Sequence, residues 1–509
     1  MAKEKNKVEI IESCMVVPDK ETPKHRLWLS NLDLYNHSDH APIFYLYKPH
    51  GNSNDFFSVD TLKKAMGKAL VTFYPLAGRL VFDEKGRPEV DCNAEGALFS
   101  VVRAHCTVEG FGGFHPSAAV RQLLVPSVTE PERSSILMLF QLTFFECGGV
   151  CLGCAVHHSV LDGVTTFHFI NAWSDIARGA DIKVAPFLDR TVLRSRSPPT
   201  VRFNHIELTH DELYTKRISL EDLGQACETT ILTISKDQLN TLKHGFNGER
   251  NLTTFQAVAV HLWRTACKAR ELADEQDTRL FFGADARARL KPPLPKGYLG
   301  NAVVRVSGNL QVGELVSKPF ELGAAKIEET VNMVDDEYLR SFVDLLEKLT
   351  GDKKIVLGSR TFKRTDFLVV SWLALPIYEA DFGWGKPWFM GRAYMRYVGH
   401  AYVMRTPGDS GGVKLDLAFE TENMARFKEI FYSDLDSYRG IKNTLERINR
   451  DVVPLNDAND DGEEGIKDGE DPPILAFGAV ELSSIFTAES KLSPGLGIKC
   501  FKYEDIKCC

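Results

Sequence analysis

Residues 137–163 read LMLFQLTFFECGGVCLGCAVHHSVLDG, and this stretch decides how the chain is interpreted. Two apolar runs, Leu137–Phe145 and Gly149–His157, flank the turn-forming Cys147-Gly148-Gly149 and predict two buried strands. A helix is predicted over Thr165–Arg178, because the segment is polar on one face and is followed by a glycine. A pair of histidines therefore stands where the second strand ends, just before a helix.

The segment His157-His158-Ser159-Val160-Leu161-Asp162-Gly163 is the first candidate for chemistry. A neutral imidazole at a strand end, facing a cleft, is suited to act as a general base. Asp162, four residues after His158, can orient the loop through an ion pair. The spacing His-x-x-x-Asp alone arises by chance roughly once in a chain with this many histidines. A histidine packed in a turn is therefore the alternative, and the context of the motif has to decide.

Cys151-Leu152-Gly153-Cys154 precedes the histidines and has the spacing of a zinc or thiol-redox site. In a strand, however, residues three apart point to opposite faces of the sheet, so the two thiols diverge. A redox Cys-x-x-Cys also opens a helix, whereas this one lies in a predicted strand. We therefore expect buried structural cysteines and no metal site.

The chain has 509 residues, 44% of them hydrophobic, which allows several domains with well-packed cores. Its formal net charge is −8, and the stretch 457–471 alone contains eight acidic residues and one lysine. The remainder is thus nearly neutral and lacks the basic surface typical of nucleic-acid-binding proteins. The composition also excludes collagenous, disordered and disulfide-scaffold classes.

The N-terminal sequence MAKEKNKVEI lacks the apolar core of a secretory signal. Apolar runs such as Ile136–Phe145 are shorter than the ~20 residues of a membrane span. Without a signal, the eleven scattered cysteines are expected to be reduced thiols. We therefore expect a cytoplasmic protein with no membrane span and no nucleic-acid partner.

Short strand-like runs alternate with amphipathic helical runs, which predicts the α/β class. We expect an N-terminal domain over residues 1–185, a linker rich in arginine and proline over 186–228, and a second α/β domain over 229–432. A helix in the second domain has Thr253 at its N-cap and a glutamine three residues on, which is a capping-box pattern. Residues 433–509 are expected to be an acidic, loosely structured tail.

Asp381-Phe382-Gly383-Trp384-Gly385 contains the Asp-Phe-Gly of a kinase magnesium loop, but the Gly-rich loop and the His-Arg-Asp loop of kinases are missing upstream. A rigid turn of glycines and aromatic residues is the remaining interpretation. Asp285-Ala286-Arg287-Ala288-Arg289 lies just before a proline-rich loop, where charged residues usually face solvent. The two arginines could instead bind an acidic partner such as Asp162, or a phosphate.

Four motifs together resemble the BAHD acyltransferases, plant enzymes that transfer an acyl group from coenzyme A to an alcohol or amine. In chain order they are Tyr74-Pro75-Leu76-Ala77-Gly78-Arg79, His158-x-x-x-Asp162-Gly163, Gly297-Tyr298-Leu299-Gly300-Asn301 and Asp381–Gly385. All four occur in the family's order and at its spacing, and the resemblance covers residues 8 to about 432. Residues Val8–Leu34 are most similar to the hydroxycinnamoyl-CoA branch.

The resemblance implies a monomer of two similar α/β domains, like chloramphenicol acetyltransferase, with mixed sheets, flanking helices and a solvent channel between them. Acyl-CoA, as co-substrate, and the acceptor would enter from opposite faces and meet at His158, the general base. No covalent intermediate and no permanently bound cofactor or metal is implied. Trp372 holds the family position whose indole N–H can donate to the oxyanion.

The resemblance assigns structural roles to the other motif residues. Asp162 would orient its loop by pairing with Arg287 or Arg289 rather than act on the substrate. The loop that contains Asp381, Gly383 and Gly385 would support the architecture.

The acceptor pocket departs from the branch members that acylate shikimate or quinate. At the position of their carboxylate-binding arginine this chain has Leu357. Their hydroxyl-bearing positions are Ala41, Ile43 and Val370 here, while Tyr45 is retained. Polar groups left unpaired cost about 1–3 kcal/mol each, so shikimate should bind poorly. An aliphatic pocket suits an amine such as tryptamine, tyramine, putrescine or agmatine.

We therefore expect a hydroxycinnamoyl (or benzoyl) transferase that acts on an amine, with Glu379 as a residue that could attract a second ammonium. The main alternative is an O-acyltransferase that uses shikimate, quinate, glycerol or another alcohol. A condensation domain of nonribosomal peptide synthesis fits the histidine motif but does not explain Asp381–Gly385. A non-catalytic binding protein would be expected to have lost these motifs.

Overall fold

The computed structural model arranges the chain in alternating strands and helices. It describes residues 8–35, 39–49, 55–111, 113–126, 135–208, 227–244, 252–351, 363–395, 397–408 and 410–451. The strands are β1 (Val8–Val16), β2 (Arg26–Trp28), β3 (His40–Tyr47), β4 (Arg79–Phe82), β5 (Pro88–Asp91), β6 (Ala97–Ala104), β7 (Met138–Phe145), β8 (Val150–His157), β9 (Cys227–Ile234), β10 (Asp277–Asp285), β11 (Val303–Gln311), β12 (Phe367–Ser371), β13 (Phe389–Arg392), β14 (His400–Arg405) and β15 (Val413–Glu420). The α-helices are α1 (Asn31–Leu34), α2 (Val59–Thr72), α3 (Ala118–Leu124), α4 (Gly163–Ala177), α5 (Lys236–His244), α6 (Thr254–Ala269), α7 (Val312–Ser317), α8 (Phe320–Met333), α9 (Asp336–Gly351) and α10 (Thr421–Asp451).

Two mixed six-stranded sheets carry the fold. The first has the order β1-β6-β7-β8-β3-β13, in which β6 and β7 run parallel, and the second has the order β11-β10-β12-β14-β15-β9, in which β12 runs parallel to both neighbours. A small sheet of β2, β5 and β4 lies in the first half of the chain. The predicted α/β class with mixed sheets and flanking helices is confirmed. The two sheets belong to one compact unit that ends at Asn449, and the division into domains 1–185 and 229–432 stays a prediction.

The first sheet is completed by a strand from the second half of the chain. After β12 the chain leaves the second sheet, and β13 pairs antiparallel with β3, with Met390 opposite Tyr45. The chain then returns to the second sheet as β14, which pairs with β12. The two sheets are therefore tied by covalent chain in both directions, in addition to the expected linker.

The two cysteines of β8 point to opposite faces of the first sheet, as the strand period requires. Cys151 packs with Phe44 and Leu139 on one face, whereas Cys154 belongs to the core on the other face, with Tyr45. Burial raises the pKa of both thiols, so neither is poised as a nucleophile.

Side-chain caps fix where two long helices begin. The Asp162 side chain accepts from the Thr165 N–H at 3.0 Å, so α4 begins two residues earlier than the predicted Thr165. In α6, Thr253 and Gln256 form the predicted capping box, each side chain accepting from the other's main-chain N–H.

The predicted linker is described up to residue 208, and its residues 209–226 lie outside the described part of the chain. Its described segment is anchored rather than loose, because the Arg196 guanidinium bonds Asp344 at 2.6 Å and Glu337 at 2.7 Å on α9. The segment therefore packs on the second half of the chain before β9 begins.

The expected tail begins too early. Residues 433–451 continue α10 instead of being loosely structured, because Phe427, Phe431 and Leu435 recur at helical spacing and are fully buried against the second sheet's core. The acidic stretch 457–471 lies outside the described residues. Within the described part, no helix is long and apolar enough to cross a membrane.

Replacing Phe431 by Ala should lower the free energy of unfolding by about 3–5 kcal/mol, because it leaves a cavity in the core under α10. Glu429→Ala, at an exposed position of the same helix, should cost under about 1 kcal/mol. Urea unfolding of the full chain measures both. Equal values for the two variants would contradict the packing of α10.

Candidate active site

The main chain of His158 is hydrogen-bonded to residues of both halves of the protein. Its N–H donates to the Asp39 carbonyl at 2.9 Å, next to β3, and its carbonyl accepts from the Asn301 side-chain amide at 2.9 Å. Asn301 precedes β11 of the second sheet. The backbone of the histidine is thus fixed where the two sheets meet, while its ring lines the cavity between them.

Asp162 uses both carboxylate oxygens in bonds that fix the loop and the start of α4. Besides the Thr165 cap, it accepts from the Arg287 guanidinium at 2.9 and 3.1 Å and from the Ala302 N–H at 3.1 Å. The geometry decides between the two predicted arginines. Arg289 instead donates to the carbonyls of Val331 and Val334. The carboxylate of Asp162 is thus turned towards the second half of the chain.

Electrostatics keep this arginine charged. Burial alone would lower the pKa of Arg287, but the charges of Asp162 and Asp285 raise it above its ordinary value. Arg287 also donates to Asp285 at 3.1 Å and to the Gly300 carbonyl at 2.9 Å. One guanidinium therefore joins the histidine loop, the end of β10 and the Gly297–Asn301 motif.

A second buried carboxylate, Asp33, was missed by the sequence analysis. It pairs with Arg190 at 3.0 Å, both side chains being fully buried, and accepts from the Asn301 N–H at 2.8 Å. Arg190 in turn donates to the Val160 carbonyl at 3.0 Å, within the histidine loop. The available signal was the capping box of Ser30 and Asp33, which starts α1.

A cavity of about 350 Å³ opens between the sheets, and His158 lines it. Of the predicted acceptor-pocket residues, Ala41, Ile43 and Val370 also line it. Tyr45 does not line this cavity and is fully buried in the core of the first sheet. The predicted position of Leu357 lies outside the described residues.

Glu379 lies away from this cavity. Its carboxylate pairs with Lys386 at 2.6 Å, and both side chains are more than half exposed. The expectation that Glu379 could attract an ammonium in the pocket is therefore wrong for the structure described, because a surface lysine already neutralises it.

Trp372 lines the cavity beside the start of α4. It follows β12, and its ring packs edge-on against Phe167 and Tyr402, with centroids 5.5 and 5.0 Å away. A Cβ placed on Gly163 would stand 3.6 Å from the indole nitrogen, an ordinary contact distance, and 3.0 Å from the Leu375 side chain, so the indole nitrogen lies close to the start of α4. The indole N–H thus lies close to Gly163, the residue that follows Asp162 in the histidine motif.

The Asp381–Gly385 motif forms a tight turn away from the cavity. The Asp381 carboxylate accepts from the N–H groups of Gly383 and Gly385, both of which have positive φ. The Phe382 ring is buried against Trp173, with centroids 4.7 Å apart. The turn aims the chain from the second sheet into β13.

The cavity is more strongly charged than the aliphatic substitutions suggested. Three arginines, Arg121, Arg305 and Arg392, line it together with Asp39 and Asp285. These residues lie far apart in the sequence and in no recognisable motif, so the sequence offered no signal that they converge.

His157, beside the catalytic candidate, points into the core. Burial lowers the pKa of its imidazole to about 3, with further contributions from His40 and His158. The His40 ring meets it edge-on at 5.2 Å, and burial also lowers the pKa of His40. Both rings are therefore neutral at ordinary pH, so neither His157 nor His40 places a positive charge near His158.

Comparison with known proteins defines the class. Residues 6–434 match the model of the transferase family. The chain is 45% identical to putrescine hydroxycinnamoyltransferase 1 of Oryza sativa subsp. japonica and 40% identical to shikimate O-hydroxycinnamoyltransferase of Nicotiana tabacum, in each case over 84% of this chain and 99% of the relative. The crystal structure of vinorine synthase shares the fold, with a TM-score of 0.64 at 22% identity over 82% of this chain and 96% of that chain.

These matches show that the protein is an acyl-CoA-dependent acyltransferase. It belongs to the BAHD transferase family, as the four motifs predicted. The condensation-domain alternative is thereby set aside.

Removing the Arg287 side chain as Arg287→Met should lower kcat at least about tenfold, because Asp162 would be left without its buried partner and the histidine loop would lose its anchor. Arg289→Met is the matched control, since Arg289 bonds only carbonyls, and it should retain kcat near the wild-type value. Steady-state kinetics of both variants, with circular dichroism as a check on folding, give the comparison. Equal losses would show that the ion pair does not position the loop.

His157→Gln should make stability less sensitive to acid. With a folded-state pKa of about 3 against an unfolded value near 6.5, the unfolded chain binds the extra proton, so stability falls as pH drops through this window. Between pH 6.5 and 4.5 the wild type should lose about 2 kcal/mol more than the variant. Urea unfolding at each pH measures this, with exposed His105→Gln as control. Parallel pH profiles for wild type and His157→Gln would refute the assignment.

Proposed function

We propose that this enzyme transfers a hydroxycinnamoyl group from coenzyme A to an amine acceptor. The observation that carries the proposal is the position of His158, whose main chain is fixed by both halves and whose ring lines the cavity between the sheets. In this scheme the neutral imidazole takes a proton from the acceptor as the acceptor attacks the thioester carbon. The coenzyme A thiolate then leaves and takes this proton from the imidazolium, and no acyl-enzyme forms.

The surrounding residues have separate roles. Trp372 donates its indole N–H to the oxyanion of the tetrahedral intermediate. The position of Trp372 in the cavity wall, next to Gly163 at the start of α4, supports this role. Asp162 and Arg287 are positioning residues, because their hydrogen bonds are made to each other and to the main chain and thereby fix the loop that carries His158.

The choice of an amine rests on two supports. Ala41, Ile43 and Val370 line the cavity and offer no hydroxyl for a polyol. One relative, 45% identical, is named for putrescine, a diamine. The alternative of an O-acyl acceptor is favoured by the relative named for shikimate, at 40% identity. That the enzyme is a cytoplasmic monomer without a bound cofactor stays a prediction from the sequence.

His158→Ala should lower kcat by about 10²–10⁴-fold with folding intact, because the proton acceptor is lost. The exposed His105→Ala serves as control and should keep full activity. The assay offers p-coumaroyl-CoA, feruloyl-CoA and benzoyl-CoA with tyramine, tryptamine, putrescine, agmatine, shikimate, quinate and glycerol, and mass spectrometry identifies the products.

Amides that form with wild type and not with His158→Ala support the proposal. Esters of shikimate, quinate or glycerol in place of amides would overturn the amine acceptor while leaving the acyltransferase class unchanged. Full activity of His158→Ala would overturn the role of the histidine as base.

A further inference from the structure

Arg392, the last residue of β13, brings a guanidinium to the wall of the active-site cavity. Its central carbon lies 4.3 Å from the ring centroid of Tyr402 and 5.7 Å from that of Trp372, and all three side chains line the cavity. The planar guanidinium is thus held against two aromatic rings beside the proposed oxyanion donor.

This cation lacks an acidic partner within the described part of the chain. There, no carboxylate oxygen lies within 4.0 Å of its guanidinium nitrogens, and its buried Nε has no hydrogen-bond partner. The nearby Asp416 accepts the main-chain N–H of Arg392 at 3.3 Å but bonds none of its guanidinium nitrogens, and its carboxylate is paired with Lys414 at 3.1 Å. Arg392 is half-buried, and its Nε is left without an acceptor, so the guanidinium is available to an anionic group that enters the cavity.

The remaining charges of the cavity wall do not compensate this arginine. Asp162 and Asp285 both bond Arg287, which leaves this group of three with one negative charge. Arg121 and Arg305 add two further guanidinium groups, against Asp39. Counted with Arg287, the described residues of the wall hold four guanidinium groups against three carboxylates, and this excess of one positive charge favours an anion over a second ammonium.

We propose that Arg392 binds a carboxylate carried by the acceptor, so that the enzyme prefers an amine that also bears a carboxylate over a diamine. The inference rests on the proposed function and narrows its substrate class. A carboxylate matches the two parallel N–H donors of a guanidinium, and the rings of Tyr402 and Trp372 keep that fork in one orientation. On this proposal, Arg392 supplies the cation that the sequence analysis expected to be missing at the position of Leu357.

The test compares kcat/KM for acceptors that differ in one charged group. The pairs are 4-aminobutyrate against putrescine, tyrosine against tyrosinamide, and shikimate against methyl shikimate. For wild type, the ratio should favour the carboxylate member. Arg392→Gln should lower this ratio at least about tenfold, because a charge-assisted hydrogen bond is lost. Arg392→Lys keeps the positive charge but lacks the two parallel N–H donors, so its ratio should fall between those of wild type and Arg392→Gln.

Arg405→Gln is the matched control, since Arg405 is exposed at the end of β14, the strand that carries Tyr402, and its ratio should equal that of wild type. Circular dichroism and turnover of the neutral acceptors establish that the Arg392 variants fold. If Arg392→Gln fails this check, Arg392→Lys decides the question. An unchanged ratio in a folded Arg392 variant overturns the inference.

The same assay separates this inference from the proposed function. If wild type acylates putrescine and tyrosinamide but neither of their carboxylate partners, the amine function stands and the role of Arg392 is refuted. If only shikimate and its methyl ester react, the amine function fails and the third pair judges Arg392. Malonyl-CoA is tested as donor as well. A loss in Arg392→Gln confined to malonyl transfer would assign the arginine to the acyl group and overturn the acceptor assignment.

Discussion

Two buried carboxylates hold the histidine-bearing loop against the second half of the chain, and the geometry of the candidate active site depends on them. Asp162 bonds Arg287 and the Ala302 N–H, while Asp33 pairs with Arg190 and accepts from Asn301. Ion pairs this deeply buried contribute little net stability compared with apolar packing, but each is costly to break on one side. Together with the hydrogen bonds of its main chain, they fix His158 at the end of β8, where it lines the cavity.

The course of the chain between the sheets reinforces this geometry. The Asp381–Gly385 turn packs Phe382 against Trp173 and directs β13 onto β3, so the second half supplies an edge strand to the first sheet. The Tyr47 hydroxyl donates to the Ala380 carbonyl at 2.8 Å just before the turn. A motif that lies away from the cavity can therefore affect it, because Arg392 lies at the end of the strand that the motif positions.

The local elements of the fold could be predicted from the sequence because each has a local cause. The strands β7 and β8 follow apolar runs around Cys147-Gly148-Gly149, and α6 follows the Thr253 cap. The continuation of α10 past residue 432 was missed, although Phe427, Phe431 and Leu435 have helical spacing, because the polar residues between them hid the apolar face that packs on the core. The motifs also predicted that His158 and Trp372 share one site, whereas Tyr45 is in the core and Glu379 is paired at the surface.

What a pocket recognises depends on convergence that a linear comparison of positions does not contain. The sequence has Leu357 where the shikimate-acylating relatives would have an arginine, and Ala41 and Ile43 where they would have hydroxyl groups, which predicts an aliphatic pocket without a cation. The fold nevertheless brings a guanidinium, Arg392, to the cavity that Ala41 and Ile43 line, from a strand that joins the first sheet. Charge can thus be kept in a site while its position in the sequence changes, because the field at the substrate depends on distance and burial rather than on which residue carries the charge.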